Sequence, residues 1–167
     1  DLASLRAALD RKHRKDLDYY YRRIDREGCR WRDYEATDEN TLRAAVDAIT
    51  ALHRSRLAAK GLSPRQLRQS ACLDATGQKF LIELALHNRP NLRLSLLWRG
   101  PHPIGGCLGF AFGSDYIAMV SGQDTHAAHG LDLGRQVLWH QIQAQASRQP
   151  TRVDLLGGDL DYKREFG

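Results

Sequence analysis

The sequence predicts a mixed α/β fold: a mostly antiparallel central sheet with helices on both faces. Three features lead there. Apolar residues recur at helical spacing through most of the first 87 positions. From Leu92 to Ser121 they alternate at strand spacing between glycine-marked turns. A further helical segment then leads into a short apolar run at 151–156. Each period reports a different local geometry, and this order of elements is that of a two-sided sheet.

Leu2, Leu5, Leu9, Leu17, Tyr20 and Ile24 predict one long amphipathic helix over 2–27, ended by Gly28. One or two rings of the Tyr19-Tyr20-Tyr21 run are expected to pack inward, the rest forming a candidate partner surface. Cys29 to Glu35 alternates as an edge strand. Thr37 is the expected N-cap of the next helix, with Asn40 three positions on. Its buried stripe is Leu42, Ala45, Val46, Ile49, Leu52 and Leu57, and Gly61 closes it. Ser63-Pro64 marks a turn or short helix. Gln78 to His87 is a further helix, stopped near Pro90. Strands 92–98, 104–112 and 116–121, joined at Gly100-Pro101 and Gly113-Ser114-Asp115, form an antiparallel meander. Gly109 inside the middle strand marks a bulge or a close backbone approach. After a polar loop, Gly130-Leu131-Asp132-Leu133-Gly134-Arg135 opens a helix to Ala146 with Val137, Leu138 and Ile142 inside, and strand 151–156 follows. No internal repeat or low-complexity segment interrupts this order.

With 167 residues the chain is long enough for one domain with a real core. Cys29, Cys72 and Cys107 are widely spaced and odd in number, which excludes a disulfide scaffold and a cysteine-based zinc site and points to a reducing, cytoplasmic setting. Cys107, inside a strand pattern, reads as buried filler. No apolar run is long enough to span a bilayer, so membrane insertion is not expected. Net charge is +5, and residues 1–32 carry ten Lys/Arg against six acids. Acids and bases interleave there at helical spacing, as in Asp18/Arg22, so the segment reads as a solvated helix and a nucleic-acid partner is not expected. Asp124, His126 and His129 lie near one another on a predicted loop, but three loose ligands do not make a metal site, and none is assigned. The chain starts at Asp1 and stops at Gly167, and it reads as an excised piece of a longer protein.

The most informative stretch is the tail, Asp154-Leu155-Leu156-Gly157-Gly158-Asp159-Leu160-Asp161-Tyr162-Lys163. A strand stops at two glycines, and titratable groups follow at once. In open α/β sheets ligands sit where strands end, so these residues are candidates for chemistry. A plain surface turn is the alternative, with Asp159 stabilising it, Tyr162 packing and Lys163 solvated.

The pattern of strand, polar loop, Gly130-Leu131-Asp132-Leu133-Gly134 helix, strand, then Asp154-x-x-Gly157-x-Asp159-x-x-Tyr162-Lys163 resembles the CelD-like branch of the GNAT acyltransferases, a group linked to polysaccharide biosynthesis. Leu52-His53-Arg54-Ser55-Arg56 followed by Gly61 resembles that group's upstream segment. The likeness covers 28–167, leaving 1–27 as a connector helix and an oligomerisation surface, and implies a GNAT-like domain lacking its final β-hairpin. It departs from the usual Q/R-x-x-G-x-G/A signature: Gln123 and His126 lie too far upstream, and Gly130 and Gly134 stand four apart.

The resemblance implies an acyl-CoA-dependent N- or O-acyltransferase with acetyl-CoA or another acyl-CoA as co-substrate and a sugar or amine acceptor, in polysaccharide or cell-envelope biosynthesis. A helix start supplies N–H groups and dipole for a pyrophosphate. Gly130, Leu131, Leu133, Gly134 and Arg135 would serve there, unless Asp132 simply caps the helix. Met119 and Val120, on a strand splayed from 151–156, would offer backbone groups to the pantetheine. Tyr162 would protonate the thiolate, Asp159 and Asp154 are candidate bases, and Lys163 would stabilise the oxyanion. His53, beside Leu52, reads as a packed histidine rather than a catalyst. Two alternatives stay open: a FemAB-type transferase taking an aminoacyl group from charged tRNA, and a degenerate GNAT domain used as an interaction module.

Overall fold

A computed structural model of the chain describes residues 2–35, 37–61, 74–127, 129–146 and 152–155. Helices α1 (Leu2–Ala8) and α2 (Arg11–Arg26) lead into strand β1 (Cys29–Asp33). Helices α3 (Glu39–Ala59) and α4 (Ala75–His87) follow, then β2 (Leu92–Arg99), β3 (His102–Phe112) and β4 (Asp115–Gln123). Helix α5 (Leu133–Ala146) and β5 (Arg152–Asp154) complete the order. The strands form one sheet in sequence order, antiparallel from β1 to β4, with β5 parallel to β4. The expected fold class is the observed one. The Ser63-Pro64 turn lies outside the described residues.

Two successive glycines of β3 show that the sheet is covered on both faces. A Cβ on Gly105 would meet Val137 and Leu133 of α5, whereas one on Gly106 would meet Ile49 of α3. Neighbouring residues of a strand point to opposite faces, so α3 and α5 sandwich the sheet. On the α3 side Leu42, Val46, Ile49, Leu81, Leu94, Leu96, Leu108 and Val120 form the main core. On the other side Leu9 and Leu17 pack with Leu138, Trp139 and Ile142.

Several local readings change. The N-terminal helix is two helices, because Asp10 takes an extended backbone and its carboxylate accepts the His13 N–H at 2.9 Å, capping α2. The predicted Asp18–Arg22 pair gives way to an Arg6–Asp18 pair of 2.6 Å across that elbow, while Arg22 Nε donates to the Asp18 carbonyl. The N-cap of α3 is Asp38, not Thr37, and its carboxylate accepts the Thr41 N–H at 3.0 Å. Helix α4 starts at Ala75 behind an Asp74 cap, earlier than the apolar stripe indicates. Helix α5 buries more than its predicted face, taking in Gln136, Gln141 and Gln145: Gln136 reaches the Leu17 carbonyl of α2, and Gln141 meets Tyr116 of β4. Tyr19 and Tyr21 are exposed, with Tyr20 half-buried.

Gly109 is a close approach beside a bulge. A Cβ there would meet the Ile117 carbonyl and the Tyr116 hydroxyl at 2.5 Å, and the β3–β4 register shifts between Leu108 and Gly109. Tyr116 is fully buried, and its hydroxyl donates to Gln141 Oε1 at 2.9 Å. Tyr116→Phe should therefore cost about 1–3 kcal/mol, since it strands a buried amide oxygen. Urea unfolding of the two proteins checks this.

Candidate active site

Strand β5 pairs with β4 only at Asp115–Arg152, Tyr116–Val153 and Ile117–Asp154. Beyond Ile117 the outer edge of β4 has no partner strand among the described residues. The bulge lies just past this last pair: Leu108 faces Val120 and Gly109 faces Ala118, which leaves Met119 as the extra residue. Val120 is buried against α3, and Met119 packs against the same cluster. Regular alternation forbids two successive residues on one face, and the bulge permits it. Asp154 sits at the last paired position, half-buried. Asp159, Tyr162 and Lys163 lie outside the described residues.

The loop after β4 brings the predicted donor-binding residues together. Gly130 takes a φ of +75° and Asp132 a φ of +48°. The backbone thereby turns sharply into α5. Leu131 and Leu133 are buried among Ile24, Cys29, Leu97 and Ile104, so what they offer a ligand is backbone. Arg135 and Gln136 donate their N–H groups to the Asp132 carbonyl, each at 3.1 Å. A Cβ on Gly134 would meet nothing nearer than Gln123 Oε1 at 3.4 Å, so space lies over the first turn. Arg135, expected as a phosphate contact, places Nη1 2.6 Å from the Asp132 carboxylate. That pair offsets the negative charge at the helix start but engages the guanidinium. A cation from elsewhere stands close by. The Arg23 guanidinium lies against Gly130, with Nη1 3.2 Å and Nη2 3.3 Å from where a Cβ would be.

On the α3 side of the same opening stand His53, Arg56 and Ser121. His53 Nδ1 lies 2.7 Å from the Ser121 carbonyl oxygen. Arg56 Nη1 donates to Ser121 Oγ at 2.7 Å. The ring of His53 is half-buried and reaches out to β4. Burial lowers its pKa from the ordinary 6.5, the Ser121 carbonyl opposes that, and the nearby charges of Arg56 and Lys60 add to the lowering. The unfolded chain therefore binds more protons here than the native one just below pH 6.5. The stability His53 contributes is full above that pH and is lost as pH falls through the lowered native pKa. Unfolding free energies between pH 7 and 5 should decline less steeply in His53→Asn than in the parent.

Cys107 is inert filler: it is buried, and burial raises its thiol to about 11. The Asp124 carboxylate accepts the N–H groups of His126 and Ala127 at 2.9 and 3.0 Å, an Asx turn that spends it locally. Among the described residues no group of His, Cys, Asp and Glu is arranged to hold a metal ion. No described helix is long and apolar enough to cross a membrane. Two surface cavities of ≈ 490 and ≈ 600 Å³ flank β1, one against α2 and one against the start of α3. They lie at the sheet edge opposite the β4–β5 opening, so cavity size alone does not mark the site.

A model of the acetyltransferase (GNAT) domain matches residues 11–164. This chain belongs to the GNAT acetyltransferase domain family. It is thus an acyltransferase domain. Solved structures share its fold. An aminoglycoside acetyltransferase from an uncultured soil metagenomic sample, solved with sisomicin, is 17% identical, covers 86% of each chain and superposes with a TM-score of 0.54. A predicted acetyltransferase of Clostridium acetobutylicum, solved with acetyl-CoA, is 11% identical over 83% of this chain and 88% of its own, with a TM-score of 0.58. The PaiA N-acetyltransferase of Thermoplasma acidophilum, solved with coenzyme A, is 7% identical over 72% and 75%, with a TM-score of 0.53. No curated protein matches the chain.

Three residues of this GNAT domain escaped the sequence reading as site candidates: Arg23, Arg56 and Ser121. His53 and Arg56, three positions apart on one helix, carried a usable signal, since such residues are neighbours on a helix surface. Arg23 carried none, because its partner Gly130 is remote in sequence.

Proposed function

We propose that this GNAT domain transfers an acyl group, acetyl in the simplest case, from acyl-CoA to a small amine or sugar hydroxyl, in the CelD-like manner tied to polysaccharide or cell-envelope biosynthesis. One observation carries the reading. Among the described residues the outer edge of β4 has no partner strand beyond Ile117, and the next element after β4 is α5. An extended pantetheine amide chain suits such an edge, and a pyrophosphate suits the helix start. The residues fit the group. Gly130, Leu131, Leu133 and Gly134 would present backbone to the phosphates, with Arg23 as a cation and Arg135 balancing Asp132. Met119 would offer strand backbone to the pantetheine, whereas Val120, expected to do the same, turns its polar groups to Leu108 of β3. The bound thioester supplies an electrophilic acyl carbon with a thiolate as leaving group.

On the family resemblance, Tyr162 protonates that thiolate, Lys163 offsets charge on the carbonyl oxygen, and Asp154 and Asp159 are the carboxylates offered to the acceptor. An amine acceptor accords with the sisomicin-bound relative, and a cytoplasmic setting accords with the use of acyl-CoA. The α1–α2 pair buries Leu9, Leu17 and Ile24. That packing speaks against the free basic arm that a tRNA-dependent enzyme would use.

Thermal unfolding with acetyl-CoA, coenzyme A and ADP tests the reading. Acetyl-CoA at about 100 times its Kd should add about 2.7 kcal/mol. For a domain of this size that is a rise of about 5–10 °C in Tm. A flat response from folded protein would refute acyl-CoA as the donor.

A further inference from the structure

We propose that His53 is the general base that takes the acceptor's proton, with Arg56 and Ser121 as its positioning residues. The proposal rests on the acyl-transfer reading of the β4–β5 opening and adds to it the group that activates the acceptor.

The geometry begins with the backbone. Helix α3 crosses β4 so closely that a Cβ on Gly122 would strike the His53 nitrogen and come within 2.5 Å of the Leu52 carbonyl carbon. Leu52 turns into the core, and the His53 ring reaches the carbonyl oxygen of Ser121 at 2.7 Å. A carbonyl only accepts, so Nδ1 carries the proton and Nε2 keeps its lone pair. Nε2 has no hydrogen-bond partner among the described residues and is not one of the buried orphan atoms. It is therefore a neutral acceptor within reach of a ligand.

The Ser121 carbonyl faces the opening. The Asp124 N–H donates to the Ile104 carbonyl of β3 at 3.0 Å. Alternate residues of an antiparallel strand turn their polar groups to the same neighbour. Gly122 and Val120 thus turn to β3, and Ser121 between them turns to the outer edge. Beyond the last pair of β5, Asp154 with Ile117, no described strand pairs with that edge. A ligand paired along it lies beside the imidazole.

Arg56 holds Ser121 from the next turn of α3, bonding Oγ at 2.7 Å and reaching the carbonyl at 3.4 Å. The charges that face the ring are those of Arg56 on α3 and Lys60 at its C-cap, while β4 offers the Ser121 carbonyl and hydroxyl. With burial, the two cations favour the neutral ring, which is the form a base needs.

In the step, the acceptor's nitrogen or oxygen lone pair forms the new bond to the acyl carbon. Its N–H or O–H proton passes to His53 Nε2. The C–S bond then breaks, and sulfur leaves with the bonding pair. The thiolate is protonated, and the imidazolium returns its proton to solvent, restoring the starting state.

His53→Asn is the decisive variant. Its amide N–H replaces Nδ1–H toward Ser121, and it has no base at the Nε2 position. Thiol release from acetyl-CoA is measured with water alone and with spermidine as acceptors, from pH 5 to 8.5. In the reaction with water, whose acceptor does not titrate in this range, the parent should show an acid limb in kcat/KM with an apparent pKa below the ordinary 6.5. His53→Asn should lose about 10²- to 10⁴-fold in kcat. It should also lose the acid limb, with little change in KM for acetyl-CoA. That limb surviving in the water reaction of His53→Asn overturns the proposal.

Imidazole 15N spectra provide a test that needs no turnover. The free protein should show His53 as the Nδ1–H tautomer, and acetyl-CoA should shift its Nε2 resonance. An Nε2–H tautomer overturns the proposal. So does an unmoved ring while the Gly134 amide shifts, with the donor reading intact. Absence of any acetyl-CoA response, at Gly134 as at His53, overturns the donor reading, and this proposal falls with it.

Discussion

Gly122→Val should unseat α3 from the sheet. The space where its Cβ would stand is taken by the His53 nitrogen, by the Leu52 carbonyl carbon at 2.5 Å and by Leu52 Cβ at 2.8 Å. None of these is the end of a flexible side chain, so the helix itself must move. Val46, Ile49 and Leu52 of α3 are buried in the main core, and they would lose their fit as it moves. Overpacking a well-filled core costs about 1–3 kcal/mol, and a backbone collision lies at or above the top of that range. For a domain of this size that is a fall in Tm of at least about 6 °C. The His53–Ser121 bond should break as well, since it spans the same seam. Thermal unfolding and the His53 15N tautomer report the two consequences separately. An unchanged Tm and tautomer in Gly122→Val would mean that α3 does not cross β4 at this point.

Arg23→Glu should weaken acetyl-CoA binding by at least about tenfold, because it puts a carboxylate where the donor reading places a pyrophosphate. Arg23 is held for that role. Its Nε donates to Glu27 Oε1 at 2.9 Å, and Arg99 holds the other oxygen of Glu27 at 2.6 Å. The bond to Glu27 keeps the Arg23 guanidinium charged. Titration calorimetry at low and moderate salt should show the parent's affinity falling with salt, and the variant's falling less. S-acetylpantetheine, which lacks the pyrophosphate, should bind the two proteins alike. Arg22→Glu, on the exposed face of the same helix, should bind acetyl-CoA as the parent does. Equal weakening of both donors by Arg23→Glu would place Arg23 away from the phosphates.

Much of the architecture was legible because it is written in local periods. The α3 stripe from Leu42 to Leu52 is buried as its spacing predicts. The Gly100 and Gly113 hairpins close three antiparallel strands, both glycines at positive φ, as tight turns between twisted strands require. Gly109 was readable as a close approach, since a strand rarely gives up a side chain without a neighbour in its place. The glycine-bearing helix start was legible in its own residues, and the structure begins that helix at Leu133, after the loop that follows β4. Periodicity failed where a second layer intrudes. Nothing within α5 announces that its glutamines are buried, for Gln136 is covered by α2 and Gln141 by Tyr116 of β4.

The amino-acid order thus settles most of the elements, the two hairpin turns, the antiparallel meander and the charged character of α2, because each depends on residues within one helical turn or one hairpin, although the Asp10 elbow that splits the first helix went unread. Pairings between distant segments settle the rest. Whether Ser121 turns its carbonyl toward β3 or toward the opening depends on strand register. Whether His53 meets that carbonyl depends on how closely α3 can approach Gly122. That Arg23, rather than Arg135, lies free of Asp132 at the head of α5 depends on where α2 packs. A side chain's type is local information, but its partner is set by the packing of whole layers, and the candidate site is built from such partners.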